Sequence, residues 1–429
     1  MKIGLQAWGS EGDILPFTVL AAALTGRGHA VTLAVTDNVG RDYQPLAERF
    51  GYRLIPVQGK SQPTPEAVRR VWRELIAVGN PIKQSELILQ YGFDPLVDVM
   101  FAAAQELCAT SDVVIGHFFV YPLRVAAAIA RKPMATLNIV HNCLPSAAIA
   151  PPGLPNLGSW AYPLGWRLVQ TMVNRIFLPR VNRLRRRVGL RPDTDVMTQT
   201  WASDQLNLIG VSPSICRRPR DWSANHVVTG FLNPPVGLAV EAPTAALEHF
   251  LLAGDPPIYF TFGSMMIEDL DYIQAVAAIW SDATQRLGRR AIVQLPWHDL
   301  DALKTDSHVF KVSRAPYKRI FPRCAAVVHH GGAGTTQSSL MAGCPSVIVA
   351  HMSDQFFWGS ELERLGVAGA TQRRKGLSGS GLAKALGTVL ESPATAARAK
   401  ALGLAMSHED GVAVAVDAIE RVLRTPTPL

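Results

Sequence analysis

The 429-residue sequence predicts an α/β protein of two doubly wound, mostly parallel halves. Three observations carry that expectation. Short β-type apolar runs alternate with helically spaced segments along nearly the whole chain, the pattern of repeated βαβ units. The pattern breaks over 231–246 (FLNPPVGLAVEAPTAA), where Pro and Ala collect without a period, and then restarts. The chain is also too long for one typical hydrophobic core, so two domains are expected.

In the first half, KIGLQAW (2–8) is a strand ending at Gly9, and LPFTVLAAALTGRGH (15–29) has helical spacing. AVTLAV (30–35) and GYRLIPV (51–57) are the next strands. VVIG (113–116), the helical AAAIAR and MATLNIV (134–140) form another strand–helix–strand unit, and LNLIG (206–210) and HVVTG (226–230) close the half. In the second half the strands are IYFTFG (258–263), AIVQL (291–295), VFKVS (309–313), AAVVHH (325–330) and SVIVA (346–350). Residues 1–232 are read as one domain, 233–246 as a linker and 247–410 as the second domain. A terminal helix in 411–429 is expected to cross back to the first, with a cleft between the halves. Segments 60–110 and 140–200, rich in Pro and aromatic residues, have the composition of ligand-contacting loops at sheet edges.

Hydrophobic residues make up 48% and charged residues 18%, which excludes a disordered chain. No secretory leader is recognisable and no run of about 18 uncharged apolar residues suggests a membrane span. Five scattered cysteines without a CxxC pair argue against a disulfide framework or structural zinc, and suit a reducing, cytoplasmic location. The formal charge of +8 admits nucleic acid, anionic small molecules or an anionic membrane as partner. Arginines crowd 183–191 and 217–220. A solvated helix face and a charged linker are the plainer readings, and peripheral membrane contact is the alternative.

VVHHGGAGTTQSS (327–339) places three glycines in four residues where a buried strand gives way to a helix. Such a turn offers free backbone N–H groups at the positive end of a helix, and glycine lets a ligand approach the backbone. The fitting ligand is a phosphate or diphosphate. His330 adds a donor that a plain turn does not need. The stretch fails G-x-G-x-x-G, which disfavours a nicotinamide cofactor, and no G-x-x-x-x-G-K-[ST] exists. Asp354 and Gln355 follow the strand SVIVA. An acid beside an amide suits paired sugar hydroxyls, and Asp354 as a helix N-cap is the competing reading. GSEGD (9–13) ends the first strand: Gly9 and Gly12 shape a turn, Ser10 can reach a phosphate, and Asp13 can accept a proton or cap a helix. FGSM (262–265) repeats the strand–Gly–Ser arrangement with Ser264. His117 follows VVIG and is read as a structural histidine.

HHGGAGTT, AGCPSVIVAHMSDQFFWG, GSEGDILPF and RLRRRVGL (183–190) together resemble the family 1 glycosyltransferases of GT-B architecture, two Rossmann-like domains, over nearly the whole chain. Within that family they are most similar to sterol and lipid glucosyltransferases and to bacterial natural-product glycosyltransferases. The resemblance implies inverting transfer of a hexose from a nucleoside-diphosphate sugar to a hydroxyl of a hydrophobic acceptor (sterol, polyketide or lipid). No cofactor beyond the sugar-nucleotide co-substrate, no metal and no nucleic-acid partner are implied. It places His330, Gly332, Gly334 and Thr335 on the diphosphate, Asp354 and Gln355 on the sugar, and Ser10, Gly12 and Ser264 facing the phosphates. Arg314 and Ala315 read the nucleobase, and Asp13 is the general base. Ser338 stands where plant members have a ribose-binding Glu, and Arg314 where they stack an aromatic residue. UDP-glucose is the expected donor, with a dTDP-deoxysugar such as dTDP-rhamnose as alternative. A nucleotide-sugar epimerase or a non-catalytic sugar-nucleotide-binding partner are competing classes. The tripeptide D-x-D, a metal site in another glycosyltransferase fold, occurs at 193–195, 269–271 and 299–301, never after a convincing strand.

Overall fold

Each apolar run becomes a parallel strand, because strands covered on both faces must be apolar throughout. The computed structural model describes residues 1–59, 64–154, 157–233, 242–266, 269–297, 299–352 and 354–424. The first sheet comprises β1 (Lys2–Gly9), β2 (Ala30–Asp37), β3 (Arg53–Pro56), β4 (Val113–His117), β5 (Met134–Asn138), β6 (Leu206–Ile209) and β7 (His226–Val228), in the order 3-2-1-4-5-6-7. The second comprises β8 (Ile258–Thr261), β9 (Ala291–Gln294), β10 (Val309–Val312), β11 (Ala326–His329), β12 (Ser346–Ala350) and β13 (Gln372–Arg373), in the order 10-9-8-11-12-13. All neighbouring strands are parallel, as in Leu5↔Ile115 and Val328↔Phe260.

The described residues of 1–62, 85–235 and 409–429 form one compact unit, and those of 63–84 and 236–408 another. In the first unit, Leu5, Phe17, Leu33 and Ile115 lie in a core closed by Ala415, Val416 and Ile419 of the terminal helix Gly411–Arg424. Polar contacts fix that helix. Arg27 pairs with Asp417 at 3.0 Å, His29 Nε2 lies 3.1 Å from Glu420, and the hydroxyls of Ser212 and Ser214 donate to Glu409 at 2.8 and 2.7 Å. In the second unit Trp280, Phe260, Phe262 and Val328 are fully buried.

Three differences from the sequence reading have physical causes. Residues 64–84, expected in the first domain, group with the second unit. Arg73 of the helix Pro65–Ala77 ion-pairs with Asp269, and buried Gln84 has its amide 3.3 Å from the His351 carbonyl. In the expected linker, residues 234–241 lie outside the described residues, while Ala245 and Ala246 open a helix capped by Thr244, whose side chain accepts from Leu247 N. The run 82–110 is long and apolar enough to cross a membrane by length and composition, although π and 3-10 turns interrupt it at Leu89–Phe93 and Asp94–Leu96. Its helix Val97–Thr110 packs against β1 and the helix Tyr121–Ala130 and buries Met100, Ala104 and Leu107, which accounts for the apolar composition.

Gly230 (φ +110°) crosses Gly411 so closely that a Cβ on Gly411 would lie 2.7 Å from the Gly230 carbonyl carbon. Gly411→Val is therefore expected to destabilise the protein by about 1–3 kcal/mol, read as a lowered urea midpoint with circular dichroism as probe.

Candidate functional site

In a doubly wound sheet the loops diverge where the strand order reverses, and ligands bind there, beyond the carboxyl ends of the strands. The first sheet reverses between β1 and β4, the second between β8 and β11. Each reversal gathers polar groups.

In the first unit β1 runs into the helix Glu11–Gly26, with Ser10 as N-cap. The Asp13 carboxylate folds back over the turn: its Oδ2 accepts from Ser10 N–H (2.8 Å) and Ser10 Oγ–H (3.0 Å). Gly9 (φ +135°) is the glycine this requires, since a Cβ there would lie 2.3 Å from Asp13 Oδ2. Gly12 is exposed and needs no special conformation. Oδ1 is left as the oxygen with proton-accepting capacity. His117, the last residue of β4, comes to it from across the reversal, with Nε2 3.8 Å from Asp13 Oδ1. His117 Nδ1 accepts from Phe119 N–H at 3.4 Å, so in the neutral ring Nε2 carries the hydrogen, and that buried Nε2 has no hydrogen-bond partner. Burial drives the His117 pKa down to about 3 and pushes the Asp13 carboxyl up to about 6, although 27% of the Asp13 side chain stays open. A carboxylate facing an unpartnered imidazole N–H departs from the purely structural role expected for His117. Phe118 and Phe119, half-buried, flank this pair. Phe119 stacks on Trp8 at 5.4 Å, and Trp201 packs edge-on to Phe118 at 5.3 Å.

In the second unit the turn after β11 wraps an imidazole. His330 is 7% exposed; its Nδ1 is buried without a partner, and a Cβ on Gly263 would lie 2.8 Å from its Cε1. Nε2 faces Gly332, where a Cβ would lie 2.3 Å away. Burial lowers the His330 pKa to about 4, so the ring is neutral near pH 7 and offers one N–H. Gly331 (φ +89°) makes the bend, with Ile348 and the Gln355 backbone within 3.0 Å of any Cβ. Gly332 then caps the helix Ala333–Met341 with no side-chain hydrogen bond, leaving its first-turn N–H groups to a ligand. Gly334 is half-buried with open space around it, and Thr335 is half-buried in the same turn. Ser264 lies on the neighbouring 3-10 turn Gly263–Met265, held by Gly263 N–H donating to Thr261 Oγ1 (3.0 Å). Tyr317 OH lies 3.2 Å from that hydroxyl and donates to Gln294 (2.8 Å), anchoring the segment that carries exposed Arg314 and half-buried Ala315.

Asp354 is the first residue of the helix Asp354–Leu365, not its N-cap, and is half-buried. Gln355 is buried, and its Oε1 accepts from His351 N–H (2.7 Å) and Met352 N–H (3.1 Å). Its carbonyl is thus occupied and only the amide hydrogens remain to donate, beside the Asp354 carboxylate as acceptor. His351 is a further buried imidazole, its Nδ1 3.0 Å from the Val349 carbonyl and its Nε2 without a partner. His351 escaped the sequence reading, and so did the approach of His117 to Asp13 and of Gly263 to His330. Both approaches depend on the adjacency of β1 with β4 and of β8 with β11, and strand order is not written locally in the chain.

The D-x-D carboxylates serve as caps and ion pairs. Asp193 accepts from Thr200 Oγ1 (2.9 Å) and pairs with Arg185, Asp195 accepts from Thr198 N, Asp269 from Tyr272 N, and Asp299 from Asp301 N. Among the described residues no three His, Cys, Asp or Glu side chains are arranged to hold a metal ion.

The family described as Erythromycin biosynthesis protein CIII-like, C-terminal domain, matches residues 282–416. An uncharacterised glycosyltransferase of Mycobacterium leprae is 31% identical over 98% of this chain and 96% of its own length. A sterol 3-beta-glucosyltransferase of Arabidopsis thaliana is 28% identical over 100% of this chain and 69% of its own. The O-mycaminosyltylonolide 6-deoxyallosyltransferase of Streptomyces fradiae is 29% identical over 100% and 99%. Among solved structures, a Streptomyces sp. SF2575 glycosyltransferase complexed with thymidine diphosphate superposes with a TM-score of 0.65 at 20% identity, over 98% of this chain and 99% of that one.

Asp13 binds its proton more tightly in the folded than in the unfolded chain, where its value is 3.8. Its contribution to stability is therefore complete below pH 3.8 and is lost as pH rises to about 6. The buried imidazoles, with lowered values, act with the opposite sign, so a variant isolates the carboxyl. Asp13→Asn is expected to be more stable than the wild type by about 1–3 kcal/mol near pH 8 and by about half as much near pH 5. Paired thermal melts at the two pH values measure this, and equal differences at both would contradict it.

Proposed function

Because the chain belongs to the family 1 glycosyltransferases of GT-B fold, we propose that it transfers a hexose, with inversion, from a nucleoside-diphosphate sugar to the hydroxyl of a hydrophobic acceptor. The observation that carries the reading is the Asp13 carboxylate: one oxygen is tied to Ser10, and the other is left as a base whose pKa burial raises to about 6.

The acceptor hydroxyl lies at Asp13 Oδ1, which takes its proton as the acceptor oxygen bonds to the anomeric carbon. The bond from that carbon to the diphosphate breaks, and the electron pair leaves with the phosphate. His117 is the positioning residue: its neutral Nε2–H faces Oδ1 and favours the ionised carboxylate before attack. The aromatic wall of Trp8, Phe118 and Phe119 suits an apolar acceptor skeleton, and the sterol and macrolide relatives support that class. Charge growing on the leaving diphosphate is met by His330 Nε2–H and the uncapped N–H groups after Gly332, already oriented and partly dry. Ser10, Gly12, Ser264, Gly334 and Thr335 complete the phosphate contacts in this reading. Asp354 accepts from sugar hydroxyls and the Gln355 amide donates to them. Arg314 and Ala315 meet the base. No metal is needed, because N–H donors carry the charge.

UDP-glucose is the first donor reading, supported by the glucosyl-transferring plant relative. Ser338 in place of a ribose-binding acid, the deoxyallosyl-transferring relative and the thymidine diphosphate complex favour a dTDP-deoxysugar as the second.

The deciding experiment incubates the protein with UDP- and dTDP-hexoses and a panel of sterol, polyketide and lipid alcohols. The expected outcome is glycoside of inverted anomeric configuration by mass spectrometry and NMR, unaffected by EDTA. Isomerised donor without glycoside would mark an epimerase, and neither product a non-catalytic binder. Asp13→Asn is expected to lower kcat by about 10²–10⁴-fold, and His330→Ala by about 10²–10³-fold. The kcat/KM profile of the wild type should fall as pH drops through about 6, where Asp13 takes up its proton. His117→Leu should move that limb upward and His117→Gln, which retains an N–H, should largely restore it. An unmoved limb in His117→Leu would remove His117 from the mechanism.

A further inference from the structure

The helix Tyr162–Arg187 carries seven arginines and no carboxylate over 26 residues. One face belongs to the core of the first unit, through Trp166, Val169, Ile176, Phe177 and Val181. The opposite face is exposed and changes character along its length of about 38 Å. At its start stand Trp160 (80% exposed), Leu164 (71%) and Leu168 (49%), each four residues from the last. Arg167 and Arg175 share their azimuth, and Arg186, eighteen residues or five turns beyond Leu168, continues the line. Arg180, Arg185 and Arg187 are paired with Asp94, Asp193 and Asp98. Arg167, Arg175, Arg183 and Arg186 are exposed and have no ion pair among the described residues.

From this arrangement we infer that the exposed face of the Tyr162–Arg187 helix docks on an anionic lipid bilayer. Tryptophan and leucine on a ridge, with arginines beside and behind them, form the pattern that enters the boundary between headgroups and acyl chains while the guanidinium groups meet phosphates. A continuous apolar row flanked by cations is more than the scattered exposed leucine of an ordinary surface. The carboxylate-free composition selects the occupant. A second copy of the same face would set arginine against arginine, whereas an anionic bilayer complements every exposed charge and accepts a convex ridge without needing a matching groove. The inference concerns this helix alone and does not depend on the proposed reaction.

The test is co-sedimentation of the full chain with phosphatidylcholine vesicles and with mixed phosphatidylglycerol–phosphatidylcholine vesicles. Binding to the anionic vesicles should be at least about tenfold tighter and should weaken strongly between about 0.1 M and about 0.5 M salt. Leu164→Glu with Leu168→Glu should reduce anionic-vesicle binding at least about tenfold. Arg167→Gln, Arg175→Gln and Arg186→Gln together should abolish the preference for the anionic lipid. As a readout that does not depend on those variants folding, brominated lipid should quench part of the wild-type tryptophan fluorescence, and Trp160→Phe should remove that part. Absence of vesicle binding, or quenching unchanged in Trp160→Phe, overturns the inference. So does a self-associated species in sedimentation velocity that Leu164→Glu with Leu168→Glu disperses without lipid, which would assign the face to a protein partner.

Discussion

Among the described residues, four imidazoles at or one residue beyond the ends of strands keep a nitrogen dry and without a hydrogen-bond partner: Nε2 of His117, His329 and His351, and Nδ1 of His330. A buried polar group without a partner costs about 1–3 kcal/mol, so each must be held by surroundings that leave it no alternative. The parallel sheet supplies that constraint. His117 ends β4 and His329 ends β11, while His330 and His351 lie one residue beyond β11 and β12. Backbone ladders on both sides fix the strands from whose ends these rings project, and bulky neighbours fill the space into which the rings could turn. Phe262 stands edge-on to His351 at 4.6 Å, and Phe118 packs on His117 at 4.7 Å. Burial also keeps the rings neutral, which preserves a directed N–H where a protonated ring would carry diffuse charge. The cost in folding stability is thus linked to the preorganised donors that a developing anion needs.

The glycines follow from the same crowding. Gly263 and Gly332 border the His330 ring so closely that neither position tolerates a methyl group, and Gly9 gives way to the Asp13 carboxyl. Their need is set by side chains from other elements, not by turn conformation alone. That explains why Gly332, with an ordinary extended backbone, is as constrained as Gly331 with its positive φ.

Much of the fold is legible in the sequence because fully covered parallel strands are apolar throughout. Every strand expected from an apolar run is present, and only β13, a two-residue pairing at a sheet edge, carries no signal of its own. Motif positions are legible too: the turn at 330–335 and the Ser10–Asp13 turn lie at strand ends, as apolar run followed by glycine implies. What was not legible depends on contacts between segments far apart in the chain. His117 meets Asp13 only because β4 lies beside β1, and residues 113–117 say nothing of that neighbour. Nor do the residues around Gln355 reveal that its carbonyl is spent on backbone N–H groups where β12 ends, which leaves only the amide hydrogens to donate. The segment 64–84 sits in sequence amid the first unit, and its membership is decided by Arg73 and Gln84 finding partners nearly two hundred residues or more downstream.

That last feature bears on how the molecule can be taken apart. The chain passes between its two units four times, at 62–63, 84–85, 235–236 and 408–409. A single cut in the stretch after 233 therefore frees neither half: it strips the first unit of the terminal helix whose Ala415, Val416 and Ile419 complete its core, and strands the Pro65–Ala77 helix from its partners. A chimera exchanging one half with a relative must be spliced at all four crossings, carrying the short early excursion along with the second half and leaving the final helix behind.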